Sequence, residues 1–429
     1  MAARLRRYAP ALVTAGAVAA LIGALYNFIL LPLTGRFTGP FEDFAAYSGA
    51  AHFLASGLSP YAGFDGGTIV MSGFDYPPFT AAVLRWLAAL DAHWEQVVWL
   101  LISLSALLGG AVITARSLLP ATWPRSRLAV LVALAFPPAT YNLWHGQINT
   151  IIFLLLAVAL HDYLAGHRVR CGLILGIAAG VKLAPIVLLL LLVRRGWWRG
   201  AIAGAAAAAG TVAFGVLALG WPVTHQYLTS VLPVLSRDNG WIYNQSWNGV
   251  VSRLAEHSVL GPDAGAAWVR PLVVLLIVAT VAVLAASVRR GERTRAERGA
   301  EFAVGIVAML LVGTITWYPI QVHVLIAVAA AVALARERGV HARALWWWSG
   351  AVIVGTGWVA GAAIAAFNID GIAAISRGGM WWLFLQACSL PAVLAVGLGL
   401  ALAMALRGRA ALNRLPWPEP VSPAAAPAR

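Results

Sequence analysis

An acidic residue after the first apolar stretch is the leading candidate for catalysis. Asp43 stands three residues after Pro40 at the start of a helical pattern, so the sequence predicts that it lies in the first turn of a short helix. The helix dipole favours a carboxylate there and helps to keep it ionised, and Tyr47 follows one turn later on the same face. A partly desolvated carboxylate suits a general base, which typically contributes about 10²–10⁴ in rate. The alternative is a helix-capping acid on a solvated loop.

The chain contains a single lysine, and its surroundings are unusual for a charged residue. Lys182 lies between two apolar runs and shortly before Pro185, which disfavours a continuous helix. A lysine near the centre of a bilayer costs about 2.5–3.5 kcal/mol on insertion scales, so it requires a partner. Two interpretations stay open: Lys182 binds a lipid phosphate as a point charge, or its ammonium snorkels to the membrane surface.

Two further segments carry side chains that form hydrogen bonds. The first holds His145, Gln147 and Asn149, whose imidazole and amides either bind sugar hydroxyls or phosphate oxygens, or cap two helix ends. In the second, His323 follows Trp317 at the start of an apolar run. The histidine there is either structural or catalytic, and the tryptophan is also typical of a membrane-interface belt.

Other polar groups lie between apolar runs, and none has the spacing of a metal site. Asp75 and Tyr76 form one group, and Asn244 to Trp247 with Arg253 form another. Asn244-Gln245-Ser246 also matches a glycosylation sequon, which is weak evidence alone. The sequence has no HExxH motif, Walker loop, DxD motif or cluster of His and Asp at ligand spacing. We therefore expect no metal ion and no cofactor.

Composition indicates a membrane protein. Of the 429 residues, 61% are hydrophobic and 11% charged, with a mean hydropathy of +0.81, which is more apolar surface than a soluble domain can bury. The net charge of +14 arises mainly in short loops between apolar spans, so we expect anionic lipid headgroups and not nucleic acid as partners. Cys171 and Cys388 fall within apolar spans, so we expect neither a disulfide nor a thiolate metal site.

The distribution of arginine predicts the topology. Loops alternate between arginine-rich and arginine-poor, and the rich set holds 23 of the 30 basic residues. Basic loops stay in the cytoplasm, so the loops around Asp43 face outward. We predict an all-α, polytopic integral membrane protein of the plasma membrane with both termini cytoplasmic. Its approximately twelve spans lie near 9–33, 95–116, 127–142, 148–164, 170–181, 183–193, 201–220, 269–288, 301–317, 319–335, 344–366 and 381–406.

Two of these spans, 170–181 and 183–193, are too short to cross alone as straight helices. They form either one long kinked helix or two half-helices that meet at a break on the outer side. Only the second arrangement keeps Arg168 and Arg194 both in the cytoplasm.

The spans belong to one transmembrane domain, residues 1–406, with two long outer segments that form the face of the candidate site. Residues 34–94 include a predicted interfacial helix from Phe44 to Leu54 and then a short amphipathic stretch, and residues 221–268 form the other segment. Residues 407–429 are predicted to be a disordered cytoplasmic tail.

Taken together, the motifs resemble glycosyltransferase family 87. Seven motifs occur in the same order between about residues 10 and 405: Asp43-Phe-x-x-Tyr47, Ser59-Pro60-Tyr61, Asp75-Tyr76-Pro77-Pro78, His145-Gly146-Gln147-Ile148-Asn149, Val181-Lys182-Leu183-Ala184-Pro185, Asn244-Gln245-Ser246-Trp247 with Arg253, and Trp317-Tyr318-Pro319 with His323. The chain departs from the family pattern at His145, where asparagine is frequent, and in the Trp317 segment, which keeps only His323 of a histidine-rich version.

The resemblance implies a GT-C type membrane glycosyltransferase domain. Members of the family take mannose from polyprenyl-phosphate-mannose on the outer membrane face. They add it, usually in α-(1→2) linkage, to phosphatidylinositol mannosides, lipomannan or related glycolipids. The partners implied are therefore this donor, a glycolipid or lipoglycan acceptor of the cell envelope, and membrane lipids.

By the same resemblance, Asp43 matches the catalytic acid and His323 matches a histidine at the outer end of a late span. The expected reaction is inverting and independent of metal, with Asp43 as general base and cations near the leaving phosphate. The residues expected to bind donor phosphate or sugar are Lys182, Arg253, His145, Gln147, Asn149, Tyr47, Asp75, Tyr76, Asn244, Gln245, Trp247 and Trp317.

Two alternatives remain at this point. An arabinofuranosyltransferase that uses decaprenyl-phosphate-arabinose has the same GT-C plan and differs in the sugar pocket. A lipid or solute transporter would also place polar residues in broken helices, but it has no need of an acid at the start of an interfacial helix.

Overall fold

Every regular element in the described part of the chain is helical, which confirms the all-α prediction. The computed structural model describes residues 2–36, 39, 41–62, 73–237, 239–256, 267–364 and 381–412. The α-helices are α1 (Ala2–Leu25), α2 (Leu31–Leu33), α3 (Glu42–Ala55), α4 (Pro78–Leu84), α5 (Ala92–Leu118), α6 (Arg125–Ala135), α7 (Pro137–His145), α8 (Asn149–Ala165), α9 (Arg168–Val181), α10 (Leu189–Arg194), α11 (Trp198–Leu219), α12 (Trp221–Gln226), α13 (Leu232–Leu235), α14 (Trp247–Glu256), α15 (Val269–Ser287), α16 (Arg295–Val312), α17 (Val324–Arg338), α18 (Arg343–Ala351) and α19 (Trp381–Leu412). Shorter 3-10 helices lie at Arg85–Ala89, Ala184–Leu188, Tyr318–His323 and Gly339–Ala342, and π-helical segments lie at Tyr26–Leu30, Tyr227–Val231 and Val352–Val359.

Several helices are long and apolar enough to cross a bilayer. Within the described ranges there are seven: Ala9–Leu33, Ala92–Leu118, Trp198–Leu219, Val269–Ser287, Tyr318–Arg338, Arg343–Ile364 and Ser389–Arg407. Two shorter apolar helices cover Asn149–Ala165 and Ala184–Arg194. The chain is a multi-pass membrane protein, as predicted, whereas the count of twelve spans stays a prediction.

Two predicted spans differ from the observed helices. The span predicted at 127–142 is interrupted at Phe136, whose ψ of 109° separates α6 from α7, because a residue that precedes proline avoids the helical conformation. The helix predicted at 301–317 begins earlier, directly after Thr294, because Thr294 and Glu297 form a capping box.

The end of the chain is described in part. Helix α19 continues to Leu412, past the predicted start of the tail at residue 407. The rest of the predicted tail, residues 413–429, lies outside the described residues, as do residues 63–72 and 257–266 of the two long polar segments.

Helix α9 and the helical segment after it form a hairpin with Lys182 at its tip. Lys182 has an extended backbone (φ −149°, ψ 126°), and the next helical turn begins at Ala184. At the open end, the guanidinium of Arg168 lies 5.4 Å from the ring centre of Trp197, so the start of α9 and the end of α10 are neighbours. This confirms two half-helices. The 14 residues of α9 rise only about 21 Å, less than the roughly 30 Å hydrocarbon core, so the tip lies within the depth of a bilayer.

Glycines hold this hairpin closely against α11. A Cβ on Gly172 would lie 1.9 Å from the carbonyl oxygen of Gly200, and one on Gly176 would lie 2.2 Å from that of Gly204. Small residues at this spacing let membrane helices approach closely. The packing therefore fixes the depth of Lys182.

The loops that are rich in arginine meet at the opposite end of the bundle, around two buried carboxylates of α16. Arg195 donates to Glu301 over 2.7 Å, and Arg338 lies 3.1 Å from Glu297. Arg293 lies 3.5 Å from both glutamates. Loops that the charge pattern assigned to one side of the membrane are thus connected to each other.

The predicted short helix after the first span is present as α3 and is attached to α5. Glu95, buried in the first turn of α5, accepts a hydrogen bond of 2.5 Å from Ser48 and lies 2.7 Å from Nε2 of His52. These contacts hold α3 across the end of the bundle at which the tip of the hairpin lies.

We expect Glu301→Gln to lower the midpoint of thermal unfolding in detergent, followed by tryptophan fluorescence. The change leaves Arg195 and Arg293 buried without the carboxylate between them, and removal of one partner of a buried ion pair costs about 3–5 kcal/mol. Glu292 is an exposed acid in the loop just before α16 and supplies the control. Glu292→Gln should melt like the wild type. Equal melting of the two variants would contradict a stabilising role of this network.

Candidate active site

Asp43 lies in the first turn of α3 and is partly buried. Gln147 forms a hydrogen bond with its side chain, and the charges of Asp75 and Lys182 act on it. Burial raises the pKa of Asp43 to about 6, although Gln147 and Lys182 oppose the rise. The carboxylate is therefore mainly ionised at neutral pH and binds a proton much more readily than an ordinary aspartate, as a general base should.

The loop after α7 is fixed against the start of α3. The Phe41 N–H donates to the carbonyl of Trp144 over 3.2 Å, and the indole of Trp99 donates to the carbonyl of Gly146 over 2.7 Å. Gly146 has a φ of 67°, and a Cβ there would lie only 2.6 Å from that of Phe44. Phe41 itself has a φ of 49°, which is uncommon for a bulky residue. The loop and the helix are thus closely packed where Asp43 begins α3.

Two buried tyrosines extend the polar network. Tyr47 and Tyr76 are 0% and 8% exposed, and the Tyr47 hydroxyl donates to that of Tyr76 over 2.9 Å. The Ile148 N–H donates to the Tyr47 hydroxyl over 3.3 Å, and the Tyr76 hydroxyl lies 3.5 Å from Oε1 of Gln147. Both rings are closed to solvent, so in this structure the tyrosines support the network, and their contact with a sugar stays a prediction.

The tip of the hairpin brings Lys182 into the same network. Its Nζ lies 3.4 Å from Oδ1 of Asn149 and 5.4 Å from the ring centre of Tyr76. Asp75 and Asp43 both interact with its charge. These contacts give a lysine at membrane depth the partners that it requires.

His323 is fully buried beside this network. Its Nδ1 lies 2.6 Å from the carbonyl oxygen of Ile320, which only accepts, so Nδ1 carries the proton and Nε2 of the neutral ring is an acceptor. Nε2 is buried and makes no hydrogen bond of good geometry within the described residues, although the backbone of Asn149 approaches the ring, and Lys182 is close enough to act on the ring electrostatically.

Asn142 is a member of the network that we did not select from the sequence. Its Nδ2 donates to the carbonyls of Pro138 and Pro319 over 2.7 Å each, and its Oδ1 accepts from Nδ2 of Asn149 over 3.1 Å. It therefore joins α7 to the turn before His323. Its position in the same polar segment as Asn149 was a signal, but its partner Pro319 is distant in sequence.

Asn244 and Arg253 belong to a second polar cluster that involves mostly backbone groups. The Asn244 side chain binds the backbone of Thr314 and Thr316. The buried guanidinium of Arg253 donates to two backbone carbonyls and to the hydroxyl of Ser389. None of these contacts involves the network of Asp43.

The remaining predicted residues occupy other positions. Gln245 is buried and donates to a backbone carbonyl over 3.0 Å, and the indole of Trp247 donates to a threonine hydroxyl of α15 over 2.8 Å. His145 stacks on Tyr141 with 4.0 Å between ring centres. Trp317 is partly buried, just before the turn that carries His323.

Metal binding would require a group of side chains that can act as ligands. Within the described ranges, no group of three or more His, Cys, Asp and Glu side chains could hold a metal ion. Asp43 and Asp75 are the carboxylates of the site, and Lys182 lies beside both. Independence from metal stays a prediction.

Comparison with known proteins identifies the family. The model of glycosyltransferase family 87 matches residues 74–314, more than half of the chain. The chain belongs to this family. The match includes Asp75, Gln147, Asn149 and Lys182. It begins after Asp43 and ends before His323. The contacts described above connect these two residues to the matched region.

Two curated relatives carry the name polyprenol-phosphate-mannose-dependent alpha-(1-2)-phosphatidylinositol pentamannoside mannosyltransferase. The protein of Mycobacterium tuberculosis is 31% identical over 250 residues, which cover 57% of this chain and 54% of that protein. The protein of Mycolicibacterium smegmatis is 28% identical over 375 residues, 83% of each chain. The chain thus spans about half the length of the first relative and most of the second.

We expect Gly146→Ala to destabilise this family 87 site by about 1–3 kcal/mol, the usual cost of overpacking. The new methyl group would meet Phe44 and Phe41 and push α3 from the loop. Gly35→Ala is the matched control, because Gly35 has a φ of 68° but no atom within 4 Å of an added Cβ. Backbone strain is the same in both variants, so the difference in thermal unfolding midpoint measures the contact. Equal midpoints would refute close packing at Gly146.

Proposed function

We propose that this chain is an inverting membrane mannosyltransferase. It transfers mannose from polyprenyl-phosphate-mannose to an envelope glycolipid or lipoglycan, such as a phosphatidylinositol mannoside, in α-(1→2) linkage. The names of the two relatives support the donor, the linkage and the class of acceptor. The observation that carries the chemistry is one hydrogen-bonded network that contains both Asp43 and Lys182, a base and a cation.

The proposed step is a direct displacement. Asp43 takes the proton of an acceptor hydroxyl while that oxygen attacks the anomeric carbon of the donor sugar. The bond from this carbon to the phosphate oxygen breaks, and polyprenyl phosphate leaves with the electron pair. Lys182 stabilises the growing phosphate charge, as a preorganised cation does in a site of low dielectric. Attack opposite to the leaving group converts a β-linked donor into an α-linked product.

His323 supports the same step as a binding residue. Its buried Nε2 is an acceptor that makes no hydrogen bond of good geometry in the described part of the chain. A sugar hydroxyl close to Lys182 would satisfy it. This role needs a neutral ring with its proton on Nδ1, and the carbonyl of Ile320 selects that tautomer.

We place the site at the outer face of the plasma membrane. The loops that are rich in arginine cluster at the other end of the bundle, and basic loops stay cytoplasmic. With that orientation both termini are cytoplasmic. The depth of Lys182 within the bilayer suits a donor whose lipid tail lies between the helices and whose phosphate enters from the side.

We expect Asp43→Asn to lower transfer by about 10²–10⁴-fold, the usual contribution of a general base. The assay is formation of labelled mannolipid by purified protein from radiolabelled polyprenyl-phosphate-mannose and a phosphatidylinositol mannoside. Glu42→Gln is the matched control, because Glu42 is the exposed neighbouring acid of the same helix turn. This variant should retain transfer within about twofold, since a solvated acid contributes little.

The same assay separates the other functions. Normal turnover by Asp43→Asn would remove Asp43 as the base. Transfer from decaprenyl-phosphate-arabinose but not from the mannose donor would indicate the arabinose enzyme. Movement of the donor across vesicles without a new glycosidic bond would indicate a transporter.

We expect the kcat/KM of transfer to fall at acid pH. The base must be ionised, and the pKa of Asp43 is raised to about 6 by burial. Activity should be nearly constant above this pH and should fall about tenfold for each pH unit below it. The profile is measured between pH 4.5 and 8, values chosen at roughly two units around the pKa. The residual activity of Asp43→Asn should not show this fall at acid pH, which is the acid limb of the profile. An unchanged acid limb in that variant would assign the limb to another group.

A further inference from the structure

A continuous series of hydrogen bonds connects the cation of the site to its carboxylate. Nζ of Lys182 contacts Oδ1 of Asn149 at 3.4 Å, and Nδ2 of Asn149 donates to Oε1 of Gln147 over 3.0 Å. The Gln147 side chain in turn binds Asp43. Gln147 and Asn149 are 2% and 0% exposed, so water does not replace these contacts.

The chemistry of the two ends fixes the direction of this series. A lysine ammonium only donates, so the atom of Asn149 that it contacts is the oxygen. The Asn149 nitrogen then faces Gln147, which must accept through its oxygen and present its own nitrogen to Asp43. An ionised carboxylate only accepts, which agrees with this orientation.

Asn142 confirms the orientation independently. Its nitrogen is used by the carbonyls of Pro138 and Pro319, so its oxygen faces the nitrogen of Asn149. Rotation of either amide of the series by 180° would place oxygen against oxygen. Because the groups are buried, a mismatched pair would cost the full desolvation of polar atoms.

We propose that Gln147 and Asn149 are positioning residues that couple proton uptake by Asp43 to departure of the phosphate at Lys182. This inference rests on the proposed function. Before reaction, the negative charge of Asp43 partly offsets the field of Lys182, and the aligned amides transmit this interaction. When Asp43 takes the proton, that offset disappears at the moment when the phosphate gains charge. Lys182 then acts on the leaving group more strongly than in the resting site.

Gln147→Met tests the link to the base, because methionine has a similar length and no donor. The acid limb of kcat/KM should move up by about one pH unit, the size expected for loss of one hydrogen bond to a charged group. At pH 6, where about half of the wild-type carboxylate but only about a tenth of the variant's would be ionised, kcat should fall about fivefold, while the KM for polyprenyl-phosphate-mannose should stay within about twofold. A purely structural role would lower stability without moving the limb.

Asn149→Leu tests the link between Lys182 and Gln147 without adding a charge. Leucine has a similar volume but neither an acceptor for Lys182 nor a nitrogen to donate to Gln147, so the acid limb should move in the same sense as in Gln147→Met. Asn27→Leu is the control, because it removes a half-buried amide that bonds only within its own helix. Its acid limb should coincide with that of the wild type.

A wild-type acid limb in both Gln147→Met and Asn149→Leu overturns the coupling. If Asp43→Asn is still inactive in that case, the proposed function stands and only this inference fails. If the wild-type protein forms no labelled mannolipid from active donor, both fail. A variant that does not fold leaves the other one to decide.

Discussion

The site depends on one electrostatic constraint: a cation held within the depth of a bilayer must have anionic partners. Helices α9 and α10 are too short to cross, so they return to the side where they began and leave Lys182 at their tip. A lone charge there would cost several kcal/mol, and the carboxylates of Asp75 and Asp43 offset it. The same burial that removes water from the lysine also desolvates the carboxylate of Asp43, and this raises the proton affinity of Asp43.

The two ends of the bundle use charge differently. At the arginine-rich end, Glu297 and Glu301 are surrounded by guanidinium groups in short contacts, and the result is a clamp between loops. At the other end, Lys182 lies by the neutral amide of Asn149 and the ring of Tyr76, and the carboxylates of Asp75 and Asp43 act on it through space. A lysine that is not locked in an ion pair can turn to a new anion. In the proposed function, this difference separates an end that stabilises the fold from an end that binds the donor phosphate.

Local signals were sufficient to predict part of this arrangement. The helix that begins near Asp43 and the break at Lys182 follow from helix-dipole and proline preferences within a few residues, and the structure has both. The partners of Arg253 could not be predicted, because they are backbone carbonyls whose position depends on the path of a loop. The roles of Gln147 and Asn142 were hidden for a similar reason. Amides at helix ends look alike in sequence, and only packing distant in the chain distinguishes a cap from a network.

The family match covers only part of the site. It begins at residue 74, so the hairpin lysine and the amide segment belong to the matched region while Asp43 precedes it. Asp43 is joined to that region by the contacts of α3 with Gly146 and Gln147. Glu95 of α5 also holds α3 in place, by accepting a hydrogen bond from Ser48. A site assembled in this way places Lys182 and the Asp43 carboxylate on separate elements. In the proposed reaction, the carboxylate on α3 and the lysine at the hairpin tip must act together, so the contacts at Gly146 and Gln147 that align these elements become essential to it.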